Sequence, residues 1–236
     1  MSDTAKPLDL SAQIGRVSAP VREQVLEVLR EAILSFRFTP GQRLIERELI
    51  DSTGVSRTTI REVLRELAAE GLVTTVPQKG AIVVAPSAEE AAELYELRGV
   101  LEGHLVKRFV ENATDGQINA LRKAYSQLET AVHRGAGTLA LLKAKDRMYD
   151  LLAQGAGNRE LRAALSRVHA RVSLLRATSL TSSPARPTEM LTEMRTLVES
   201  IESRDPHAAQ RAALHHVERA ATAGIAGLTE AGSPGN

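Results

Sequence analysis

Two short amphipathic patterns lie close together in the first third of the chain and constrain its fold more than any other feature. The first begins at about Glu46 and has Leu49 and Ile50 as its apolar residues. The second begins at Ser56, whose hydroxyl can accept a hydrogen bond from an exposed amide at a helix start. Its apolar residues recur at the spacing of one helical face: Ile60, Val63, Leu64, Leu67 and Ala68. Only Ser52-Thr53-Gly54-Val55 separates the patterns, so the sequence predicts a helix, a tight turn and a helix.

The segment before this pair predicts one further helix. Ser18 and Pro20 signal a helix start, and apolar residues from Val21 to Phe36 recur at helical spacing. The run Thr39-Pro40-Gly41 should end that helix, because proline cannot continue the hydrogen-bond ladder. Residues 1–17 show no sustained period and are expected to form a flexible arm.

The segment after the pair predicts two strands. Short β-rich runs at 72–75 and 81–84 flank the turn-forming residues Pro77-Gln78-Lys79-Gly80. This pattern is typical of a two-stranded hairpin with a basic tip. Residues 18–85 are therefore predicted to be a winged helix-turn-helix domain.

From Ser87 onward the apolar residues keep a helical period almost without interruption. Segments rich in Gly, Pro, Asn and Asp divide the pattern into pieces. The predicted helices span roughly 88–111, 115–134, 138–154, 158–178, 187–203 and 206–227. Six helices predict a bundle over residues 86–228, followed by a tail at 229–236. The predicted fold class is mainly α, with an N-terminal winged helix-turn-helix and a C-terminal all-helical bundle.

The composition excludes several kinds of site. The chain has no cysteine, which excludes disulfides, thiolate zinc sites and cysteine nucleophiles. Three Tyr, three Phe and no Trp argue against the stacking platforms that hold single-stranded nucleic acid. The N terminus lacks a secretory signal, and no uncharged apolar run approaches the ~18 residues of a membrane span. These features predict a soluble cytoplasmic protein with no membrane partner.

The second helix of the pair carries polar groups that suit duplex DNA. Its apolar residues account for one face, while Arg57, Arg61 and Arg65 lie on the other. Short hydroxyls near a helix start can reach phosphates, and arginines on successive turns can reach base edges. The run Ser56-Arg57-Thr58-Thr59-Ile60-Arg61 supplies both. The alternative is a solvated face on which Arg61 and Arg65 pair with neighbouring Glu residues.

These segments resemble a family of bacterial regulators. The run PVREQVLEVLREAILSFRFTPGQRL, followed by IERELIDSTGVSRTTIREVLRELAAEGLVTTVPQKGAIVV, is similar to the winged helix-turn-helix of GntR-type regulators. The resemblance implies that three arginines contact the operator and that the wing tip enters the minor groove. The candidate DNA-contacting residues are Arg47, Ser56, Arg57, Thr58, Thr59, Arg61, Lys79 and Gly80.

The helical remainder resembles the effector-binding FCD domain of the FadR subfamily, in its VanR-like branch. The resemblance rests on Glu93-Leu94-Tyr95-Glu96-Leu97-Arg98 together with Glu102. It implies a homodimer and a pocket for a small-molecule effector such as a carboxylate or a sugar acid. Arg98 matches a position facing the cavity, and with Met194 it is a candidate effector-binding residue. The alternative for Arg98 is a structural ion pair with Glu102, one helical turn away.

Members of this family often hold a divalent metal ion in the bundle, and its ligands are only partly kept here. Asp146 and His216 match ligand positions, whereas Asp150 and Met194 replace two histidines. Asp146, Asp150 and His216 could form an oxygen-rich site that suits Mg²⁺ or Mn²⁺ better than Zn²⁺. The alternative is that the carboxylates are solvated or paired with arginines and that no metal binds, so that other groups hold the effector.

The predicted function is that of a ligand-responsive transcriptional regulator, most simply a repressor, and not an enzyme. A homodimer would bind a palindromic operator in double-stranded DNA, and the effector would change its DNA affinity. One alternative is a metal-dependent hydrolase using Asp146, Asp150 and His216, although no phosphate loop or second metal cluster accompanies them. Another is a structural bundle with a vestigial winged domain. His169 is expected to be an ordinary histidine, and Arg176 to lie on a solvated or dimer-facing stripe.

Overall fold

The computed structural model describes residues 21–232, with the side chains of 21–228. The chain divides into two compact units, and the division falls between Ala85 and Pro86. The predicted arm at 1–17 lies outside the described residues, as do the last four residues of the predicted tail. Each unit buries its own set of apolar side chains.

The N-terminal unit is a winged helix-turn-helix, as the sequence predicts. Its elements are α1 (Val21–Leu34), β1 (Arg43–Leu44), α2 (Glu46–Thr53), α3 (Arg57–Ala69), β2 (Val73–Val76) and β3 (Gly80–Val83). Gly54 ends α2 with a left-handed backbone (φ 71°), and its N–H donates to the carbonyl of Ile50. A glycine adopts this conformation at little cost, which explains how the chain turns within three residues.

The sheet of this unit has one strand more than the sequence predicts. Strands β2 and β3 form the expected antiparallel hairpin, in which Thr75 pairs with Ala81. Strand β1 adds to the other edge of β3, giving the order β1-β3-β2, with Arg43 opposite Ile82. A strand of two residues is too short to show an alternating pattern, so only the tertiary structure reveals it.

Helix α1 ends two residues before its apolar pattern does. Phe36 has a positive φ of 59°, which no helix interior accepts. The chain turns back there, the Phe38 N–H donates to the carbonyl of Ala32 at 3.0 Å, and the Phe38 side chain is buried. Burial of Phe38 therefore ends the helix before Thr39-Pro40-Gly41 is reached.

Helices α1 and α3 form the core of the N-terminal unit. Leu29 and Ile33 of α1 and Ile60 and Leu67 of α3 are all completely buried. Each such side chain stabilises the fold by roughly 1.5–3 kcal/mol relative to an exposed one. This packing fixes which face of α3 is turned outward.

The C-terminal unit contains seven helices among the described residues, where the sequence predicts six. They are α4 (Ala88–Asn112), α5 (Asp115–His133), α6 (Thr138–Ala156), α7 (Arg159–Arg171), α8 (Ser173–Thr181), α9 (Arg186–Glu202) and α10 (Pro206–Gly232). The predicted helix at 158–178 is two helices, because Val172 leaves the helical region (φ −94°, ψ 5°). No Gly or Pro marks this break, and Val172 is completely buried, so core packing decides it. The predicted tail is helical as far as Gly232.

Side-chain caps and one close contact set the ends of the long helices. The Ser87 hydroxyl accepts from the Glu90 N–H, and the Glu90 carboxylate accepts from the Ser87 N–H, which is a capping box. Helix α6 continues through Gly155, where a Cβ atom would overlap the ring of Phe109. Gly155 therefore makes room for a neighbouring helix instead of ending its own.

Helix α10 packs against α4, α8 and α9. Tyr95, Leu175 and Val217 belong to the apolar cluster at this junction. This packing places polar side chains of α4, α6, α7, α8, α9 and α10 in one interior region. Within the described residues, no helix has both the length and the apolar character needed to cross a membrane.

Candidate nucleic-acid interface and buried ligand site

The start of α3 is held in place by its own side chains. Ser56 has an extended backbone, and its Oγ accepts from the Thr59 N–H at 3.2 Å. The Ser56 and Thr59 hydroxyls are also 2.9 Å apart. The predicted cap is therefore present and leaves an exposed helix start, where backbone N–H groups favour an anionic partner.

The outward face of α3 carries exposed arginines together with one exposed carboxylate, that of Glu62. Arg57, Thr58, Arg61 and Arg65 are exposed, while the apolar residues of the helix are buried. Arg47 on α2 exposes 88% of its side chain and lies 4.0 Å from Asp51. These residues have the exposure that contact with a DNA backbone or groove requires.

Two carboxylates at the C-terminal end of α3, those of Glu66 and of the C-cap residue Glu70, are paired with arginines of α1. Glu66 pairs with Arg22 of α1, and the Nε of Arg30 donates to Glu70 at 2.8 Å. The alternative in which Glu residues of α3 neutralise its own arginines therefore does not apply to Glu66 or Glu70. Since α1 supplies both partners, neither of these carboxylates neutralises the exposed arginines of α3.

Arg61 is the exception among these exposed arginines. Its Nε lies 2.9 and 3.1 Å from the two carboxylate oxygens of Glu46 on α2. The side chain is still 56% exposed. The contact with Glu46 orients Arg61 and leaves its terminal nitrogens available.

The wing tip is short and exposed. Gln78 and Lys79 lie between β2 and β3, Gly80 begins β3, and the Lys79 N–H donates to the carbonyl of Val76 at 3.1 Å. Gln78 and Gly80 both have positive φ, at 64° and 81°. The turn projects a lysine beside a glycine that has open space around it, which allows a close approach of the backbone to a duplex.

The C-terminal unit buries a cluster of polar and charged side chains. Glu102 is completely buried and accepts from Arg98 Nε at 2.6 Å, Tyr149 Oη at 2.5 Å and His169 Nε2 at 2.8 Å. Burial alone would raise the pKa of Glu102, but Arg98 and His169 hold it well below its usual range. Glu102 is therefore a carboxylate held by three donors from three helices.

A second part of the cluster is centred on His216. Its Nδ1 lies 2.7 Å from Glu193, and since a carboxylate cannot donate, Nδ1 carries the proton. Its Nε2 is then an acceptor, and Lys145 Nζ donates to it at 3.1 Å. Burial and the charge of Lys145 lower the pKa of His216 to about 3. Burial and repulsion from Arg176 and Arg98 also lower the pKa of Lys145.

Arginines complete the cluster. Arg186 donates to both carboxylate oxygens of Glu193, at 2.7 and 3.0 Å. Arg176 Nη2 forms an ion pair with Asp146 at 2.7 Å, although without hydrogen-bond alignment. Arg186 also lines an open cleft of about 240 Å³ together with Ser182, Ser183, Glu189, Arg219 and Thr222.

The predicted metal ligands Asp146, Asp150 and His216 do not form a metal site in the structure. Asp150 is 66% exposed and lies 3.9 Å from Arg162, while Asp146 is half exposed and pairs with Arg176. Within the part of the chain that the structure describes, no three His, Asp or Glu side chains converge as metal ligands. The Nε2 of His216, which a metal would need, already accepts from Lys145. The groups present therefore do not fit a divalent cation.

The prediction of Asp146 and Asp150 as ligands failed because both lie one residue away from the inward-facing positions of α6. Consecutive residues of a helix point about 100° apart. Lys145 and Tyr149 are buried, whereas Asp146 and Asp150, one position later, are turned towards solvent. Lys145 and Tyr149 therefore occupy the inward positions that the predicted ligands would need.

The other predicted pocket residues are buried. Arg98 is completely buried and forms the ion pair with Glu102, which was the structural alternative, but its Nη1 has no hydrogen-bond partner. Met194 is also completely buried. Sequence reasoning missed Lys145, Arg186 and Glu193. It also misassigned two residues: Arg176 is 4% exposed, and His169 binds Glu102.

The sequence of α6 contained a signal for the missed residues. Leu141, Leu142, Met148 and Leu152 define its buried face, and Lys145 and Tyr149 continue that face at helical spacing. A lysine on such a face is unusual, because lysine is almost never fully buried unless it is paired.

Comparison with known proteins identifies both units. Residues 21–83 match the bacterial regulatory proteins of the gntR family, and residues 93–219 match the FCD domain. With the exposed arginines of α3, these matches define a class: DNA-binding regulators with a helical effector-binding domain. The chain belongs to the GntR family of transcriptional regulators and carries an FCD domain. It is a regulator and not an enzyme, and the hydrolase hypothesis also loses its converging residues.

Similar proteins cover most of the chain. An uncharacterized HTH-type transcriptional regulator of Bacillus subtilis, YdhC, is 28% identical over 197 residues, which is 84% of this chain and 88% of the relative. The HTH-type transcriptional repressor RspR of Escherichia coli K12 is 26% identical over 200 residues, or 84% and 86% of the two chains. A GntR regulator from Rhodococcus sp. RHA1 superposes with a TM-score of 0.68 at 22% identity, over 87% of this chain and 97% of the other. At that identity the superposition shows a shared fold.

Proposed function

We propose that this regulator is a repressor that binds a palindromic operator as a homodimer and releases it when a small-molecule effector binds the helical unit. The observation that carries the proposal is the separation of charge on α3. Arg57, Arg61 and Arg65 are exposed on one side, while Glu66 and Glu70 are paired with α1 on the other. A helix with this face and a capped start suits the major groove.

Repression is supported by a relative. RspR of Escherichia coli is named a transcriptional repressor and aligns with 84% of this chain. Effector control requires that the ligand bind the DNA-incompetent arrangement more tightly, because equal affinity for both arrangements shifts neither. A carboxylate or a sugar acid is the class of effector that the buried arginines favour.

Exposed apolar side chains on α4 support a homodimer. Leu97 and Val100 expose 47% and 63% of their surface, although both are large hydrophobic residues. A second copy of the chain would cover them, and a two-fold axis would present α3 to two half-sites.

Selection from random DNA duplexes tests the DNA-binding part of the proposal. The full chain should enrich one sequence with two-fold symmetry, and a titration should reach two chains per duplex. Failure to enrich any sequence at low salt would overturn the proposal.

Light scattering tests the dimer separately. Wild-type protein should have twice the mass of one chain, and Val100→Asp should reduce the mass to that of one chain at micromolar concentration. Exposed Glu160 offers a control, since Glu160→Asp leaves the surface charge unchanged. A wild-type monomer at all concentrations would contradict the homodimer.

A further inference from the structure

We propose that Lys145 is a built-in cation in the helical unit and that, with Arg98 and Arg176, it binds a small organic monoanion directly, without a metal ion. The inference rests on the proposed effector role of this unit. It adds to that role the residues that hold the effector and the charge that the effector carries.

Lys145 has donors to spare. It is 3% exposed, and His216 Nε2 is its hydrogen-bond partner in the structure. An ammonium group has three N–H donors, so one contact leaves two of them inside the protein. Buried donors without acceptors are costly, and a ligand oxygen would satisfy them.

The arginines around Lys145 are also under-satisfied. Arg98 Nη1 and Arg176 Nε are buried and have no hydrogen-bond partner. Both side chains are at least nine-tenths buried. They belong to α4 and α8, while Lys145 belongs to α6. N–H donors without acceptors therefore come from three different helices. Convergence of buried donors from several helices is typical of a specific binding site, whereas a surface ion pair joins only two side chains.

The charges of the cluster leave Lys145 without a carboxylate. Glu102 pairs with Arg98, and Glu193 pairs with Arg186. The third pair joins Arg176 to Asp146, which lies at the surface. Among the described residues of this cluster, Lys145 is the basic side chain that pairs with no carboxylate, and its histidine partner is neutral. One negative charge beside it would stabilise its protonated form, which specifies a monoanion.

The chemistry favours a carboxylate over a divalent anion. A guanidinium group presents planar N–H donors that match the two oxygens of a carboxylate. A second negative charge would have no cation to balance it and would lie near Glu102 and Glu193. The ammonium group of Lys145 would supply the positive charge that a metal ion supplies elsewhere.

The experiment measures binding of simple carboxylates to full-length protein dialysed against EDTA. Acetate, benzoate and gluconate are titrated at constant ionic strength by calorimetry, with acetamide and benzamide as uncharged probes. At least one carboxylate should bind, and the amides should not. Binding that vanishes after EDTA treatment, or no binding of any carboxylate, would overturn the proposal.

Variants locate the anion. Lys145→Met and Lys145→Gln should weaken binding at least tenfold, and the glutamine can still donate to His216. Lys123→Met, at an exposed lysine of the same unit, should bind as wild type does. Arg219→Ala should also bind normally, because Arg219 lines the open cleft, whereas Lys145 does not. Loss of binding in Arg219→Ala but not in Lys145→Met would place the anion in the cleft and disprove the Lys145 site.

A stability measurement excludes a purely structural role. If Lys145 exists to bind an anion, Lys145→Met should unfold at an equal or higher urea concentration than wild type, because an incompletely paired buried amino group is removed. A clear loss of stability in both lysine variants would mean that Lys145 only holds His216.

The DNA assay keeps this inference separate from the proposed function. Without carboxylate, Lys145→Met should bind the operator as tightly as wild type does. If a carboxylate binds at Lys145 but leaves DNA affinity unchanged, the site stands and effector control fails. If DNA binding fails while carboxylate binding persists, only the repressor proposal is lost.

Discussion

The two units use arginine in opposite ways. In the N-terminal unit, Arg57 and Arg47 are exposed, and arginines of α1 pair with Glu66 and Glu70. In the C-terminal unit, Arg98 and Arg176 are buried among carboxylates, a lysine and two histidines. Exposed arginines suit a long polyanion such as DNA, which stays hydrated when it binds at a surface. Buried arginines suit a small anion that can be enclosed by the helical unit. Burial, rather than residue type, separates the two tasks.

The largest expected effect comes from breaking a buried pair. Glu102→Gln leaves Arg98 without a counter-charge in the interior and should lower the free energy of unfolding of the C-terminal unit by about 3–5 kcal/mol. The chain has no tryptophan, and its three tyrosines, Tyr95, Tyr125 and Tyr149, all belong to the C-terminal unit. Tyrosine fluorescence during urea unfolding therefore reports the unfolding of this unit alone. Glu202→Gln, which removes a partly exposed partner of Arg122, should cost less than about 1 kcal/mol. Equal costs would mean that burial does not distinguish the pairs.

Acid should destabilise the same unit through His216. Burial and Lys145 lower its pKa from 6.5 to about 3, so below pH 6.5 the unfolded chain takes up the proton first. The stability that His216 contributes is complete above pH 6.5 and is lost as the pH falls towards 3, by about 3 kcal/mol between pH 7 and pH 4. Glu193 adds to the loss below pH 4.5, since hydrogen bonds from His216 and Arg186 outweigh its burial and lower its pKa to about 2.

Unfolding in urea at several pH values measures this dependence. His216→Gln should flatten the curve between pH 6.5 and 5, whereas His207→Gln, at an exposed histidine, should leave it unchanged. A wild-type stability that stays constant from pH 7 to pH 4 would contradict a neutral buried His216.

In the exposed region, removal of an arginine should affect DNA affinity and leave stability intact. Arg57→Ala and Arg61→Ala should each weaken operator binding by about 1–3 kcal/mol if the side chain reaches a base. Fluorescence anisotropy with the selected duplex gives the affinities. Arg159→Ala, at an exposed arginine of the other unit, is the control. Unchanged affinity in both α3 variants would remove α3 as the recognition helix.

The smallest expected effect is at the wing. Lys79→Ala removes one exposed positive charge at the hairpin tip. It should reduce the slope of log affinity against log salt by about 1, with little change in sequence preference. An unchanged slope would show that the tip does not approach the phosphates.

The sequence predicted most of the helices and strands because local patterns of apolar residues, caps and helix breakers determine them. The apolar stripe of α3, its Ser56 cap and the breakers between long helices each depend on neighbours within a few turns. The elements that the sequence did not predict depend on residues that are distant in the chain. Strand β1 exists because β3 offers it an edge, and α7 and α8 separate because Val172 is drawn into the core.

The buried site shows the same division more sharply. For Arg98 the sequence left two alternatives, effector binding and an ion pair with Glu102, and it could offer the pair because an i, i+4 contact is local. It placed Asp146 and Asp150 inward by matching a family pattern, and a shift of one residue turned both towards solvent. It had no means of bringing together Lys145 and His216, which are 71 residues apart.

The sequence by itself therefore determined the class of fold and the apolar and polar faces of α3, because both follow from periodicity and short-range chemistry. Only the tertiary structure decided which charged residues are buried, which carboxylate each arginine meets and why Asp146, Asp150 and His216 do not converge as metal ligands. The physical reason is that burial and electrostatic pairing are properties of three-dimensional neighbours. A residue distant in the chain can change them without leaving any mark on the local pattern.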